Sequence, residues 1–141
     1  MLKMDQTALN AFLRRDFREV SDELIVDRAD AAGVALRLIV GARHLRPGGT
    51  VSGPTLFMLA DVAVYLAILS QIGPAALTVT TGGSIDFMRK PAAGTDLVAE
   101  ARILKLGRAL AVGDVLIAPA TGGAPVARAS LTYAIPPDHQ G

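Results

Sequence analysis

The sequence predicts an α+β fold in which a curved antiparallel sheet of about five strands wraps one long apolar helix. Three observations predict it. Residues 54–72 read PTLFMLADVAVYLAILSQI, apolar on nearly every side with a sole charge at Asp61, and a helix of that kind belongs in the middle of a protein. Beyond it the hydrophobic period switches from helical to two, in four segments separated by turn residues. A lone helix without a polar face needs cover on all sides, and a single curved sheet can provide it. The 141 residues suffice for one domain with a real core and are too few for two typical ones. Residues 1–141 therefore read as a single domain, with 1–33 an N-terminal helix and lead-in and 136–141 a tail.

The elements follow in order. Residues 5–15, DQTALNAFLRR, carry Ala8, Leu9, Phe12 and Leu13 at helical spacing, which predicts a short amphipathic helix. Residues 16–33 are rich in charge and offer at most a strand around 24–26. Residues 34–41 place Val34, Leu36, Leu38 and Val40 on one face and predict a strand. The stretch HLRPGGTVSG, dense in glycine and proline, reads as a loop. Ser52-Gly53 at the cap and Pro54 at the first helical position open the long helix, where proline's missing N–H costs nothing. Gly73-Pro74 closes it.

In the first strand after the helix, residues 79–89, Val79, Ile85 and Phe87 share one face and Thr80, Ser84 and Asp86 the other. Residues 96–106 align Leu97, Ala99, Ala101 and Ile103. Residues 108–118 are apolar on both faces, as a central strand should be. The cleanest alternation runs over 126–135, with Ala127, Ala129, Leu131, Tyr133 and Ile135 against Arg128, Ser130 and Thr132. Pro136-Pro137 ends it.

Composition narrows the function. A chain 51% hydrophobic and 19% charged is not a disordered polyelectrolyte. Fourteen Lys and Arg against thirteen Asp and Glu leave a net charge of +1, so no global field recruits nucleic acid or an anionic membrane. The lack of cysteine excludes disulfides, a thiol nucleophile, iron–sulfur clusters and Cys-type zinc sites. His44 and His139 lie too far apart in sequence to suggest a metal site, and no metal is expected. The first fifteen residues show no signal peptide, so the cytoplasm is the expected compartment. The long helix approaches a membrane span in length, but a mid-membrane Asp61 is costly and the strand-rich remainder suits a soluble sheet. GGTVSG has the wrong spacing for a phosphate or dinucleotide loop, and Ser84 in GGSID fails the G-x-S-x-G elbow at its last position.

Asp61 is what remains. Such a carboxylate is either satisfied by a backbone group or an arginine, or it is functional. Burying a charge is expensive and an apolar residue stabilises better, which favours a general base or nucleophile. Ser52-Gly53-Pro54 likewise reads two ways: an ordinary cap, or a helix start whose free N–H groups hold a developing oxyanion, with Gly53 admitting a close carbonyl. Gly53 and Asp61 are eight residues apart, roughly 12 Å along a helix, whereas a reacting carbonyl sits about 3 Å from both nucleophile and donor. One chain cannot place both groups on one carbonyl; two antiparallel copies across a two-fold axis can. If both groups are catalytic, the protein is an obligate dimer with two equivalent sites. Arg89-Lys90 and the pair Lys105 and Arg108 flank two turns; each reads as a solvated hairpin end, or all four as a cationic rim for a phosphate-bearing substrate.

Together these residues resemble the hotdog-fold thioesterases, and among them the PaaI-like branch that hydrolyses acyl-CoA thioesters, over about residues 34–135. The resemblance rests on GTVSGPTLFMLAD, ending in Asp61; on Val79-Thr80 through IDFMRKP and Gly94; and on KLGR with the closing strand from Ala127 to Tyr133. It implies that Asp61 attacks the thioester carbonyl or activates water, and that the Gly53 N–H polarises that carbonyl across a dimer interface. It also implies a homodimer or homotetramer with no cofactor, coenzyme A being part of the substrate. The expected substrate-binding residues are Ser52, Pro54, Tyr65, Ser84, Arg89, Lys90, Lys105 and Arg108. Ser52 stands where the family has a histidine, Pro54 where it has a second glycine, and Tyr65 where a small or hydroxylated residue is common. Tyr65, one turn after Asp61, is placed to narrow the acyl pocket or to hydrogen-bond the carboxylate. These departures motivate one alternative, a non-catalytic acyl-CoA-binding module. A hotdog enoyl-CoA hydratase ranks below it, because that chemistry wants an Asp/His pair and the central helix has no histidine.

Overall fold

In the computed structural model, which describes residues 1–139, the chain order is helix α1 (Gln6–Asp16), strands β1 (Leu24–Asp30) and β2 (Gly33–Leu38), helix α2 (Gly53–Ile72), then strands β3 (Val79–Phe87), β4 (Leu97–Leu106), β5 (Leu110–Pro119) and β6 (Ala127–Ala134). The strands form one open antiparallel sheet in the order β1-β2-β4-β5-β6-β3, curved around α2. This is the hotdog architecture, with six strands where the sequence predicts about five. The additional length is β1. Its Leu24 and Val26 are buried, but Asp27, Arg28 and Asp30 break the apolar alternation because β1 is an edge strand with one solvated face. There Arg28 pairs with Asp30 and Glu100.

From Val62 to Ser70 every residue of α2 is buried. By length and composition this helix could cross a bilayer; here it packs against β2, β4, β5, β6 and β3. The inner face of the sheet is built largely from Ala99, Ala101, Ala111, Ala127 and Ala129, all buried, so the strands approach the helix closely. Gly113 marks the tightest point: a Cβ there would lie 2.9 Å from Cγ1 of Val64 and 3.1 Å from the Arg102 carbonyl oxygen. α1 begins at Asp5, whose side chain accepts from the Ala8 N–H, and it buries Leu9, Phe12 and Leu13. Asn10 of α1 uses both ends of its amide on Val26, accepting from its N–H at 2.8 Å and donating to its carbonyl at 3.1 Å, where the β1 register shifts. The Lys3 N–H donates to the Ser70 carbonyl, which ties the start of the chain to the end of α2.

The first half of α2 is less enclosed. Pro54 is exposed, and Phe57, Met58 and Asp61 are only half-buried; their spacing puts them on one helical face. β3, at the sheet edge, is exposed along nearly its whole length, with Val79, Phe87 and the adjoining Met88 open to solvent. Of the apolar side chains of this strand only Ile85 packs on the core, and Val79 and Phe87 stay largely open to solvent.

Filling the closest helix–sheet contact is the simplest check on this packing. Gly113→Ala should destabilise the protein by about 1–3 kcal/mol through overpacking, read as a lower urea midpoint with an unchanged m-value; an unchanged midpoint would contradict the contact.

Candidate functional site

The start of α2 is held from outside the helix. His44 is buried, takes the Gly41 N–H on Nδ1 at 2.8 Å and therefore donates from Nε2 to Glu23 at 2.7 Å. Arg43 also pairs with Glu23. The His44 carbonyl in turn accepts the Ser52 N–H at 2.8 Å. Ser52 is the N-cap: its Oγ accepts from the Thr55 N–H and lies 2.8 Å from the Thr55 hydroxyl, while its carbonyl accepts the Leu56 N–H. Gly53 is the first helical residue and Pro54 the second, one position later than the sequence suggests. Proline has no N–H. Among the described residues nothing accepts the Gly53 N–H, whereas the Thr55 N–H is capped by Ser52 and the Leu56 N–H bonds the Ser52 carbonyl. Pro54 offers no N–H beside that of Gly53.

Asp61 sits two turns further along. The Thr80 hydroxyl donates to its Oδ1 at 2.6 Å, and the Tyr133 hydroxyl lies 2.6 Å from the same Oδ1 and 2.7 Å from the Asp61 carbonyl oxygen. No hydrogen bond from a described residue reaches Oδ2. Burial pushes the Tyr133 phenol far above its ordinary range, and the Asp61 carboxylate pushes the same way, so the hydroxyl stays a donor. Tyr133 falls on the inward face of β6 as its alternation predicts. Thr80 does not follow its alternation. Strict period two puts it outside with Ser84 and Asp86, but β3 carries a bulge: Thr80 opposes Tyr133 and Gly82 opposes Thr132, so Thr81 is the extra residue and Thr80 turns inward. Gly82-Gly83 inside a strand is the signal that could have revealed it.

Asp61, Thr80 and Tyr133 border a cavity of about 330 Å³ shared with Tyr65, Phe17 and Thr78. Tyr65 narrows it, its ring packed against Phe12, Phe17 and Tyr133. Its hydroxyl donates to the Ala76 carbonyl at 3.1 Å and not to Asp61, which corrects the second role expected of it. Gly53 opens on a different, smaller cavity of about 190 Å³, beneath the Phe87 ring and beside Arg46, Arg89 and Lys90. Within one chain, then, the carboxylate and the free N–H never share a space.

The remaining expected residues separate. Ser84 faces away from Asp61: it opposes Ser130 on the outer side of the sheet, in a cavity of about 350 Å³ whose Asp86 and Arg128 are already paired. That hollow is as large as the one at Asp61, but its charged groups are already ion-paired, Asp86 with Arg128 and Asp114 with Arg102 outside it. Ser52 is occupied by its capping bonds. Arg89 donates to the Pro125 carbonyl at 2.6 Å and, with Lys90, stands at the Gly53 end. Lys105 and Arg108 are exposed at the β4–β5 turn. Phe87 aligns through Ala127 with Ile117, and Leu110 aligns with Ala134. At about 3.3 Å per residue, the stretch from Ile117 back to Leu110 separates the two cationic pairs by roughly 23 Å. They do not form one rim within a chain. Among the described residues no three His, Cys, Asp or Glu side chains converge as metal ligands would.

Comparison with known proteins agrees with this architecture. Residues 48–126 match the sequence profile of the thioesterase superfamily. A crystal structure of a candidate thioesterase from Silicibacter sp. TM1040 is 51% identical, covers 97% of this chain and 95% of its own, and superposes with a TM-score of 0.90. The E. coli PaaI protein from the phenylacetic acid degradation operon is 25% identical over 89% of this chain and 88% of its own, with a TM-score of 0.78. A candidate esterase of Pseudomonas aeruginosa is 34% identical over 96 residues, 63% of this chain and 70% of that protein.

The buried phenols make stability sensitive to alkali. Burial, with a smaller contribution from Asp16, pushes Tyr65 up to about 12, and Tyr133 is raised further. An unfolded tyrosine ionises near pH 10, so above that pH the unfolded chain loses protons that the folded one keeps. Their contribution is complete below about pH 10 and declines from there through pH 12. Urea midpoints measured from pH 8 to 12 should be flat and then fall, and Tyr133→Phe should fall less steeply. Parallel curves for the two proteins would contradict this.

Proposed function

Because the chain belongs to the thioesterase superfamily, we propose that it hydrolyses acyl-CoA thioesters, in the manner of the PaaI-like branch, at a site shared by two antiparallel copies of α2. The observation that carries this reading is the division of the reactive groups. An acid with one free oxygen and a helix start with one free N–H lie eight residues apart on one helix, facing separate cavities. Between them runs the face of exposed Pro54 and half-buried Phe57 and Met58, next to an edge strand exposed along nearly its whole length. Two such faces meeting about a two-fold axis cover each other's apolar surface and bring Asp61 beside the partner's Gly53.

At that site Oδ2 of Asp61 takes a proton from water as the water oxygen attacks the thioester carbonyl carbon. The carbonyl oxygen becomes an oxyanion held by the partner's Gly53 N–H. The carbonyl then re-forms, the carbon–sulfur bond breaks, and the departing coenzyme A thiolate takes the proton back from Asp61. Direct attack by Oδ2 on the carbonyl carbon instead breaks the carbon–sulfur bond, releases the thiolate to be protonated by solvent and leaves a mixed anhydride that water hydrolyses. In single-turnover hydrolysis in heavy-oxygen water, label in Asp61 marks this route with water attacking the Asp61 carboxyl carbon, a label the general-base route never leaves. The antiparallel arrangement also turns the end bearing Arg46, Arg89 and Lys90 toward the partner's Asp61 end, where Lys105 and Arg108 lie. That reunites the cations into a rim suited to the phosphates of coenzyme A.

Mixing two dead variants tests both the chemistry and the sharing. Asp61→Asn should lower kcat on a panel of acyl-CoA esters by about 10²–10⁴-fold. Gly53→Pro removes the N–H at a position where proline suits a helix, and should cost about 10²–10³-fold. Refolded together in equal amounts, half the dimers are mixed and each has one intact site, so about a quarter of wild-type activity should return. Inactive mixtures would count against a shared site, and coenzyme A ester binding without turnover in the wild type would favour a non-catalytic binding module.

A further inference from the structure

Resting on the thioesterase reading for its catalytic meaning, we propose that Tyr133 and Thr80 are positioning residues that fix Oδ1 of Asp61 and thereby select Oδ2 as the single reacting oxygen. The two hydroxyls come from different strands, β6 and β3, and converge on one oxygen at 2.6 Å each. The other oxygen receives nothing from a described residue, and Asp61 borders the cavity. A carboxylate free to rotate presents either oxygen in many orientations. One anchored by two donors presents one oxygen in one orientation, which is what an attack geometry requires.

A purely structural account explains less. To satisfy its own buried hydroxyl, Tyr133 needs only one acceptor, and the Asp61 carbonyl oxygen at 2.7 Å already serves. Oδ1, at 2.6 Å, shares that single hydrogen with the carbonyl oxygen, a bifurcated contact that links the carboxylate to the helix backbone through one hydroxyl. Thr80 gives the stronger sign. It reaches Asp61 because β3 inserts Thr81, giving up ladder regularity on an edge strand that gains no core packing from the insertion. Bulges of this kind re-aim a side chain, and the side chain re-aimed here is the second donor to Oδ1. The high position of the Tyr133 phenol on the pH scale fits a group that remains a donor throughout the working range.

The test combines kinetics with a direct view of the carboxylate. Tyr133→Phe keeps the ring and Thr80→Val keeps the shape; each should lower kcat by roughly 10- to 100-fold with KM changed less than about twofold, the pattern of lost orientation rather than lost binding. Thr80→Ser, which restores the hydroxyl, should recover to within about threefold of wild type, a rescue that a packing role would not give. Crystal structures of the wild type and of the Tyr133→Phe/Thr80→Val double variant supply a readout independent of turnover. Asp61 should hold one orientation in the first and lose it in the second. An Asp61 side chain that keeps the same orientation in the double variant overturns the proposal, as does an unchanged kcat in both single variants. A wild type that orients Asp61 as described yet hydrolyses no acyl-CoA ester sinks the thioesterase reading and leaves the positioning role standing.

Discussion

A fully buried Val, Leu or Ile side chain contributes about 1.5–3 kcal/mol, and α2 buries Leu56, Leu59, Val62, Val64, Leu66, Ile68 and Leu69 within fourteen residues. For a chain of this size no other element offers as much. The demand that α2 be covered shapes the rest. The sheet curves because it has one helix to wrap, its inner face is alanine-rich because large side chains would hold it off, and Gly113 allows β5 to touch Val64. α1 reaches the helix through Phe12 against Tyr65, and Lys3 holds its end at Ser70. What this cover leaves open is equally defined: the face of Pro54, Phe57, Met58 and Asp61. The one acid of the helix therefore lies where burial stops.

The fold was legible wherever apolar spacing decides the structure. α2, the inward face of β6 and the buried face of β4 up to Ala101 all follow from period and composition. β1 was not, since an edge strand with a solvated face needs charges that erase its alternation. The sequence singles out Asp61 and Gly53 as candidates because each contradicts its surroundings, a carboxylate in an apolar run and a glycine at a helix start, and the structure places them on separate cavities. Thr80 was misplaced because a bulge is a register event, decided by pairing with β6 and invisible to a rule of alternation. Tyr133 sat on the correct face but read as core, since spacing reports where a side chain points and not what its hydroxyl touches. Ser84 lies on the outer side of the sheet, away from Asp61, which its place in the sequence does not reveal.

The helix start shows what a departure from a family pattern leaves available. Read as a list of substitutions, Ser52 and Pro54 remove a histidine and an amide donor. In the structure Ser52 satisfies Thr55 and Leu56, and Pro54 has nothing to donate, so a single N–H projects without an acceptor. Its direction depends on a chain of buried contacts that starts outside the helix. Glu23 holds the His44 ring, and the His44 carbonyl holds the Ser52 amide. The histidine that sequence reasoning set aside as a metal ligand is thus a support for the cap.

A rigid core helix also fixes what one chain can do. Eight residues of α2 hold the carboxylate and the free N–H roughly 12 Å apart, and no side-chain rotation closes that gap. The separation that matters for the proposed chemistry is then set by how two helices approach each other, not by either helix alone. Such an arrangement divides the work: the fold of each chain orients its own half of the site, Asp61 through β3 and β6 and Gly53 through the His44 loop, while the contact between apolar faces sets the distance between halves. The surface that excludes water from the interface is the same surface that brings acid and donor to one carbonyl, so on this reading assembly and catalysis depend on a single apolar stripe.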